Sequence, residues 1–160
     1  AVVVGMLERK GEVRTAVLKT ASEKLLSKSV REHVVPGSHL ITDEAAGYTK
    51  VGREYAHKVI NHAETYVKGN IHTNSIENYW SLLKRGIKGT YISVEPFHLF
   101  RYVDEQVFRF NNREMKDGER FTMALGGMKG KRLTYKALIG VGGDSSPSVH
   151  GNSAGSDVGQ

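Results

Sequence analysis

Residues 72–85, HTNSIENYWSLLKR, combine an acid, a hydroxyl and two basic side chains at helical spacing. At about 100° per residue, Glu77, Ser81 and Lys84 fall on one side of such a helix, and Arg85 follows directly. A carboxylate can ligate a divalent cation, and a lysine can hold a phosphate as a point charge. This side therefore suits a site that handles metal and phosphate. The same pattern is also typical of the solvated side of an ordinary amphipathic helix.

The remaining residues of this segment predict how the helix is positioned. Side-chain oxygens at its start can cap the first free N–H groups, and the first turn favours the negative charge of Glu77. Apolar residues recur at three- and four-residue spacing and are expected to face a core. The capping candidates are Thr73, Asn74 and Ser75, and the predicted core residues are Ile76, Tyr79, Leu82 and Leu83.

A second acid, Asp43, follows a short apolar segment that predicts a β-strand. In open α/β sheets, groups at the carboxyl ends of strands converge on one crevice, so Asp43 and Glu77 can meet at one rim of a sheet. Carboxylates held together repel each other, and Mg²⁺, which prefers oxygen ligands, relieves that repulsion. Two such ions can promote phosphodiester chemistry. The alternative is that Asp43 is a solvated acid at a strand end.

The pattern along the chain predicts an α/β fold with a hairpin at the front. Strands are predicted at residues 1–8, 12–19, 38–44 and 57–62, and helices at 22–33, 73–86 and 96–112. Residues 45–55 are predicted as a loop or short helix, 88–91 as a turn, and 119–139 as a short helix with an end strand. Residues 140–160 are rich in Gly, Ser and Asp, a composition that predicts a disordered tail.

Composition narrows the possible functions. The 160-residue chain is long enough for one domain, and its net charge of +6 (23 − 17) favours a polyanionic partner such as nucleic acid. With no cysteine, it has neither disulfides nor thiolate zinc sites, which is compatible with the cytoplasm. It contains no membrane-length apolar run and no signal-peptide pattern. Seven histidines suggest a zinc alternative, but their spacing does not match a zinc motif.

The predicted long helix carries charged residues at four-residue spacing on its polar side. These residues are Arg101, Glu105, Arg109 and Arg113. They fit two interpretations equally well. One is a ladder of ion pairs along the helix, worth a few tenths of a kcal/mol per pair. The other is a face that contacts phosphates.

The motifs above resemble DDE-type insertion-sequence transposases of the ISXO-like branch. The resemblance spans roughly residues 1–138. It is carried by TDE at 42–44, VINH at 59–62, the segment 72–86 with GTY at 89–91, RYVDE at 101–105, FRFN at 108–111 and LTYKAL at 133–138.

The resemblance implies a ribonuclease-H-like mixed sheet flanked by helices, with three acids that bind two Mg²⁺ (or Mn²⁺) ions. It makes Asp43 the second acid and Glu77 the third, with Asn74 as an alternative third ligand. Lys84 matches a basic residue that contacts transposon-end DNA. Further DNA-contact candidates are Arg85, His72, Asn74 and Arg109. The implied partners are transposon ends, target DNA and further copies of the chain, in the bacterial cytoplasm at the nucleoid.

One feature departs from the resemblance, because no acid precedes Glu8. The first acid is expected on a strand upstream of Ala1, so residues 1–139 are expected to form a catalytic domain that lacks its first strand. The predicted function is Mg-dependent cleavage and strand transfer of an insertion sequence. The alternatives are a catalytically inactive remnant that binds DNA only, and a related nuclease without a role in transposition.

Overall fold

The computed structural model describes residues 1–42, 54–59 and 74–140, except for the side chain of Asn74. It contains strands β1 (Val2–Leu7), β2 (Val13–Leu18), β3 (His39–Thr42) and β4 (Ala56–Val59), and helices α1 (Glu23–His33), α2 (Asn74–Arg85), α3 (Leu99–Asn111), α4 (Asp117–Met128) and α5 (Tyr135–Leu138). A π-helical turn, Gly86–Thr90, extends α2, and a 3₁₀ turn, Pro96–His98, precedes α3. The tail predicted after Gly140 and most of the predicted 45–55 loop lie outside the described residues.

The predicted hairpin at the front of the chain is confirmed. Strands β1 and β2 are antiparallel, with Val2 opposite Leu18 and Leu7 opposite Val13. In the turn, Glu8 N–H donates to the Glu12 carbonyl at 3.2 Å, and Lys10 adopts a φ of 60°. The alternating side chains of the two strands therefore point to two opposite faces.

Helices cover both faces of this hairpin. On one face, Val3, Leu7 and Val17 pack against a core whose buried members come from β2, α2 and α3. Those members are Val13, Tyr79, Leu83, Val103 and Phe110. On the other face, α1 contacts both strands. The fold is a mixed α/β arrangement in three layers, with the hairpin in the middle.

Helix α1 begins and ends where the sequence predicts. Ser22 accepts a hydrogen bond from Leu25 N–H at 3.4 Å, which satisfies one of the unpaired donors of the first turn. Leu26 and Val30 are buried on the inner side. The chain then turns at Gly37, where a φ of 82° favours glycine.

A second pair of strands lies against α1. Strands β3 and β4 are parallel, with His39 opposite Ala56. Tyr55 packs on Val30 and donates its hydroxyl to the Val34 carbonyl at 3.1 Å. Arg31 grips Glu54 through two hydrogen bonds of 2.6 and 2.8 Å. Among the described strands, the predicted mixed sheet therefore consists of an antiparallel pair and a parallel pair.

The C-terminal segment differs from the predicted end strand, because Tyr135–Leu138 forms one helical turn. Thr134 accepts a hydrogen bond from Ala137 N–H at 3.3 Å, so its hydroxyl caps a helix start. The β-branched and aromatic residues of this stretch suggested a strand, but no described strand pairs with it. The helices in the described ranges are all too short or too polar to cross a membrane.

The end of α3 is fastened to the outer edge of the hairpin by one side chain. The Asn111 amide accepts from Val13 N–H at 2.8 Å and donates to the Val13 carbonyl at 3.0 Å. Because Glu8 and Glu12 form the hydrogen-bonded pair next to it, Leu7 and Val13 form a non-bonded pair whose Val13 polar groups point outward. Asn111 thus takes the place of a missing neighbouring strand.

We expect Asn111→Asp to lower the free energy of unfolding by about 1 kcal/mol, because a carboxylate cannot donate to the Val13 carbonyl. Urea titration followed by Trp80 fluorescence measures the change. Asn112→Asp is the matched control, since it adds the same charge at the same helix end but loses only a bond to Phe108 of its own helix. Equal losses in the two variants would show that the contact with β2 contributes nothing.

Candidate active site

Helix α2 is fixed in rotation by four residues that face the core. Tyr79 is fully buried, and its ring packs edge-on to Phe110 with centroids 5.4 Å apart. Burial, and secondly the Asp104 carboxylate, raise the pKa of the Tyr79 hydroxyl far above its usual value. Leu83 is also buried, and Ile76 and Trp80 pack beside it.

One predicted core residue of α2 is wrong. Leu82 is 37% exposed, while Trp80 packs into the core in its place. The physical reason is Gly5 in β1, because a Cβ on Gly5 would lie only 2.7 Å from the Trp80 ring. The absent side chain of Gly5 leaves the space that the indole occupies.

The predicted functional side of α2 is on the surface. Glu77 in the first turn, Ser81, and Lys84 and Arg85 in the last turn are all exposed. The order of charges matches the helix dipole, with the acid near the N terminus and the two cations near the C terminus. An exposed carboxylate and hydroxyl supply hard oxygen donors of the kind that Mg²⁺ or Mn²⁺ binds.

Lys84 borders an apolar groove of about 430 Å³. Its walls are Val3, Trp80, Leu83 and Ile87, and Lys84 and Lys88 supply its charged atoms. Lys88 lies four residues after Lys84, in the π-helical turn where the sequence predicted an ordinary turn. The Tyr91 N–H donates to the Gly86 carbonyl at 3.1 Å, so this turn is wider than an α-turn. Continued four-residue spacing was the signal that could have identified Lys88.

Arg109 is exposed and forms an ion pair with Glu105 at 2.8 Å. The other carboxylate oxygen of Glu105 accepts from the Tyr91 hydroxyl at 2.5 Å, a contact that raises the pKa of Tyr91. Arg101 instead donates to the Ala137 carbonyl, and Arg113 lies over the Phe110 ring. Of the proposed ladder along α3, the described contacts thus contain the rung between Glu105 and Arg109, and contact of Arg109 with DNA stays a prediction.

Two predicted site residues, Asp43 and His72, lie outside the described residues, and only the backbone of Asn74 is described. The distance between Asp43 and Glu77 is therefore untested. Thr42, directly before Asp43, ends β3, and its hydroxyl lies 2.8 Å from His57 Nε2. His57 was a zinc candidate in the sequence. In residues 1–42, 54–59 and 74–140 no three His, Asp or Glu side chains are grouped as a metal site.

The comparison with protein families gives one match. The family of the ISXO2-like transposase domain matches residues 1–111, which is more than half of the chain. The matched range includes β1 to α3 and every predicted site residue from Asp43 to Arg109. Neither a curated protein nor a solved structure matched. Together with the α/β architecture and the polar face of α2, the match shows that the chain belongs to the ISXO2-like transposase family.

Proposed function

We propose that this chain provides the catalytic domain of a DDE transposase, which cleaves DNA at the ends of an insertion sequence and joins those ends to a target. One observation carries the proposal. In a chain of the ISXO2-like transposase family, α2 exposes a carboxylate, a hydroxyl and basic side chains along one side. We also propose that the strands described above belong to a ribonuclease-H-like sheet.

We assign the metal to the oxygen side chains of Asp43 and Glu77, with Asn74 as the alternative to Glu77. Glu77 fits a hard divalent cation because its carboxylate is exposed in the first turn of α2. When bound, Mg²⁺ or Mn²⁺ would supply activation of an attacking oxygen and charge stabilisation of a leaving one. The chain itself holds α2 rigidly through Tyr79 and Trp80, so that the carboxylate is held in one position.

We assign phosphate binding to Lys84, Arg85 and Lys88, with His72, Asn74 and Arg109 as further contacts. Lys84 and Lys88 border the same groove, so successive phosphates of one strand can reach both. The net charge of +6 favours association with DNA in general. We further propose that the protein acts as a homo-oligomer on DNA, at the bacterial nucleoid.

The test is a cleavage assay on duplexes that carry the DNA flanking the gene. Strand cleavage with Mg²⁺ or Mn²⁺, and none with chelator, is the expected result. Sequence-specific binding without cleavage under any of these metals would favour the inactive, DNA-binding alternative. Cleavage of any duplex regardless of its ends would favour a nuclease without a role in transposition.

Replacing Lys84 and Lys88 by glutamine should weaken DNA binding several-fold and lower the salt dependence. Each lost phosphate contact is expected to reduce the slope of log K against log salt by about 0.9. Fluorescence anisotropy at several salt concentrations measures both quantities. The control is Lys24→Gln on α1, which covers the opposite face of the hairpin. A slope unchanged in the Lys84 and Lys88 variant would remove these residues from the DNA face.

A further inference from the structure

Helix α4 carries an apolar stripe on its surface. Phe121, Ala124, Leu125 and Met128 share one side at three- and four-residue spacing. Phe121 is 65% and Met128 66% exposed. Every described side chain from residue 121 to 140 is exposed, so this stripe faces solvent within the described chain. Contiguous apolar surface of this kind marks an interaction site.

The charges at the two ends of α4 are opposite. Its first turn contains Asp117 and Glu119, and three cations follow its last turn: Lys129, Lys131 and Arg132. At about 100° per residue, Asp117 lies at the edge of the stripe, whereas Lys116 and Arg120 lie about 90° or more from its centre. The stripe is thus flanked by an acid at one end and by bases at the other.

We propose that α4 pairs with α4 of a second copy of this chain, antiparallel and about a two-fold axis between residues 124 and 125. In that register, Phe121 of each copy meets Met128 of the other, and Leu125 meets the small Ala124. Asp117 of each copy then lies opposite Arg132 of the other. Such self-complementarity is what a two-fold interface requires, because each contact occurs twice.

The pairing explains several otherwise separate features of α4. The large side chains of the stripe meet small or flexible ones, which lets two helices approach closely. Aromatic and thioether groups make favourable contacts. The two helix dipoles run in opposite directions and add to the charge complementarity. Since α4 lies outside the family match at residues 1–111, this surface is independent of the catalytic assignments.

The interface is small, so we expect dimerisation in the micromolar range. Sedimentation velocity of the full chain from about 1 to 200 µM, without DNA or metal, measures it. Leu125→Glu should weaken the dimer at least about tenfold, because two carboxylates would enter the apolar contact. Met123→Glu is the matched control. Met123 is 49% exposed and Leu125 50%, but Met123 lies on the opposite side of the helix and should have little effect.

A charge exchange tests the antiparallel register. Asp117→Arg and Arg132→Asp should each weaken self-association, because like charges then face each other twice. An equimolar mixture of the two variants should regain association as a heterodimer. Asp117 also pairs with Arg120 of its own helix, so circular dichroism must show that α4 is retained.

Three results would overturn the proposal: a monomeric chain throughout the concentration range, a dimer that Leu125→Glu leaves intact, or a variant mixture that associates no better than its components. Because the assay contains no DNA, a failure here would leave the proposed transposase activity standing. A loss of cleavage in the assay above would likewise leave this interface standing.

Discussion

Glu77→Gln is expected to reduce strand cleavage and strand joining by at least about a hundredfold. Glutamine keeps the size of the side chain but removes the negative charge that would hold a divalent cation. Because Glu77 is exposed, the change should leave the free energy of unfolding nearly unaltered. A gel assay of end cleavage and joining under Mg²⁺ measures the effect, with DNA binding measured in parallel.

The matched control is Glu95→Gln. Glu95 is exposed before the 3₁₀ turn, and its side chain makes no capping hydrogen bond there. We expect this variant to cleave DNA like the wild type. Full activity of Glu77→Gln would exclude Glu77 as a ligand. Asn74→Ala then decides the matter, since an inactive Asn74→Ala protein would transfer the ligand role to Asn74.

Gly5→Ala is expected to lower the free energy of unfolding by about 2 kcal/mol. The new Cβ would lie 2.7 and 2.8 Å from two carbons of the Trp80 ring, so the indole or the strand must move. The sign is informative, because alanine in place of glycine in a strand otherwise stabilises slightly. A urea midpoint shift of about 1 M is expected for a chain of this size.

Two further variants separate the ring contact from a general effect of losing glycine. Gly118→Ala in α4 has nothing within 4 Å of its new Cβ and should be neutral or stabilising. Trp80→Leu should cost less in the Gly5→Ala background than alone, because the smaller side chain relieves the clash. This pair is followed by circular dichroism, since Trp80 is the single tryptophan of the chain. Additive losses would show that Gly5 and Trp80 do not interact.

Local signals in the sequence were sufficient for most helices and strands. Ser22 predicted the start of α1, Pro96 the turn before α3, and the alternation around Val13 the second strand of the hairpin. Each of these signals acts within a few residues of its effect. Local periodicity was also sufficient to place Glu77, Ser81 and Lys84 on one exposed side of α2.

The errors come from contacts between distant residues. Trp80 replaces Leu82 in the core because of Gly5, which lies in another element and leaves space only once the strand and helix meet. The bond between Asn111 and Val13 joins residues 98 positions apart, and no local pattern indicates it. The predicted meeting of Asp43 and Glu77 is a contact of the same kind, and it stays a prediction.

The π-helical turn at Gly86–Thr90 has a consequence for length variation among relatives. Its bond from Tyr91 N–H to the Gly86 carbonyl spans five residues, one more than an α-helical turn encloses. Deleting one residue there would restore ordinary helical winding and rotate all that follows by about 100°. Lys88 would then leave the groove and Tyr91 would lose Glu105. Alignments should therefore tolerate gaps on either side of this turn but not within it.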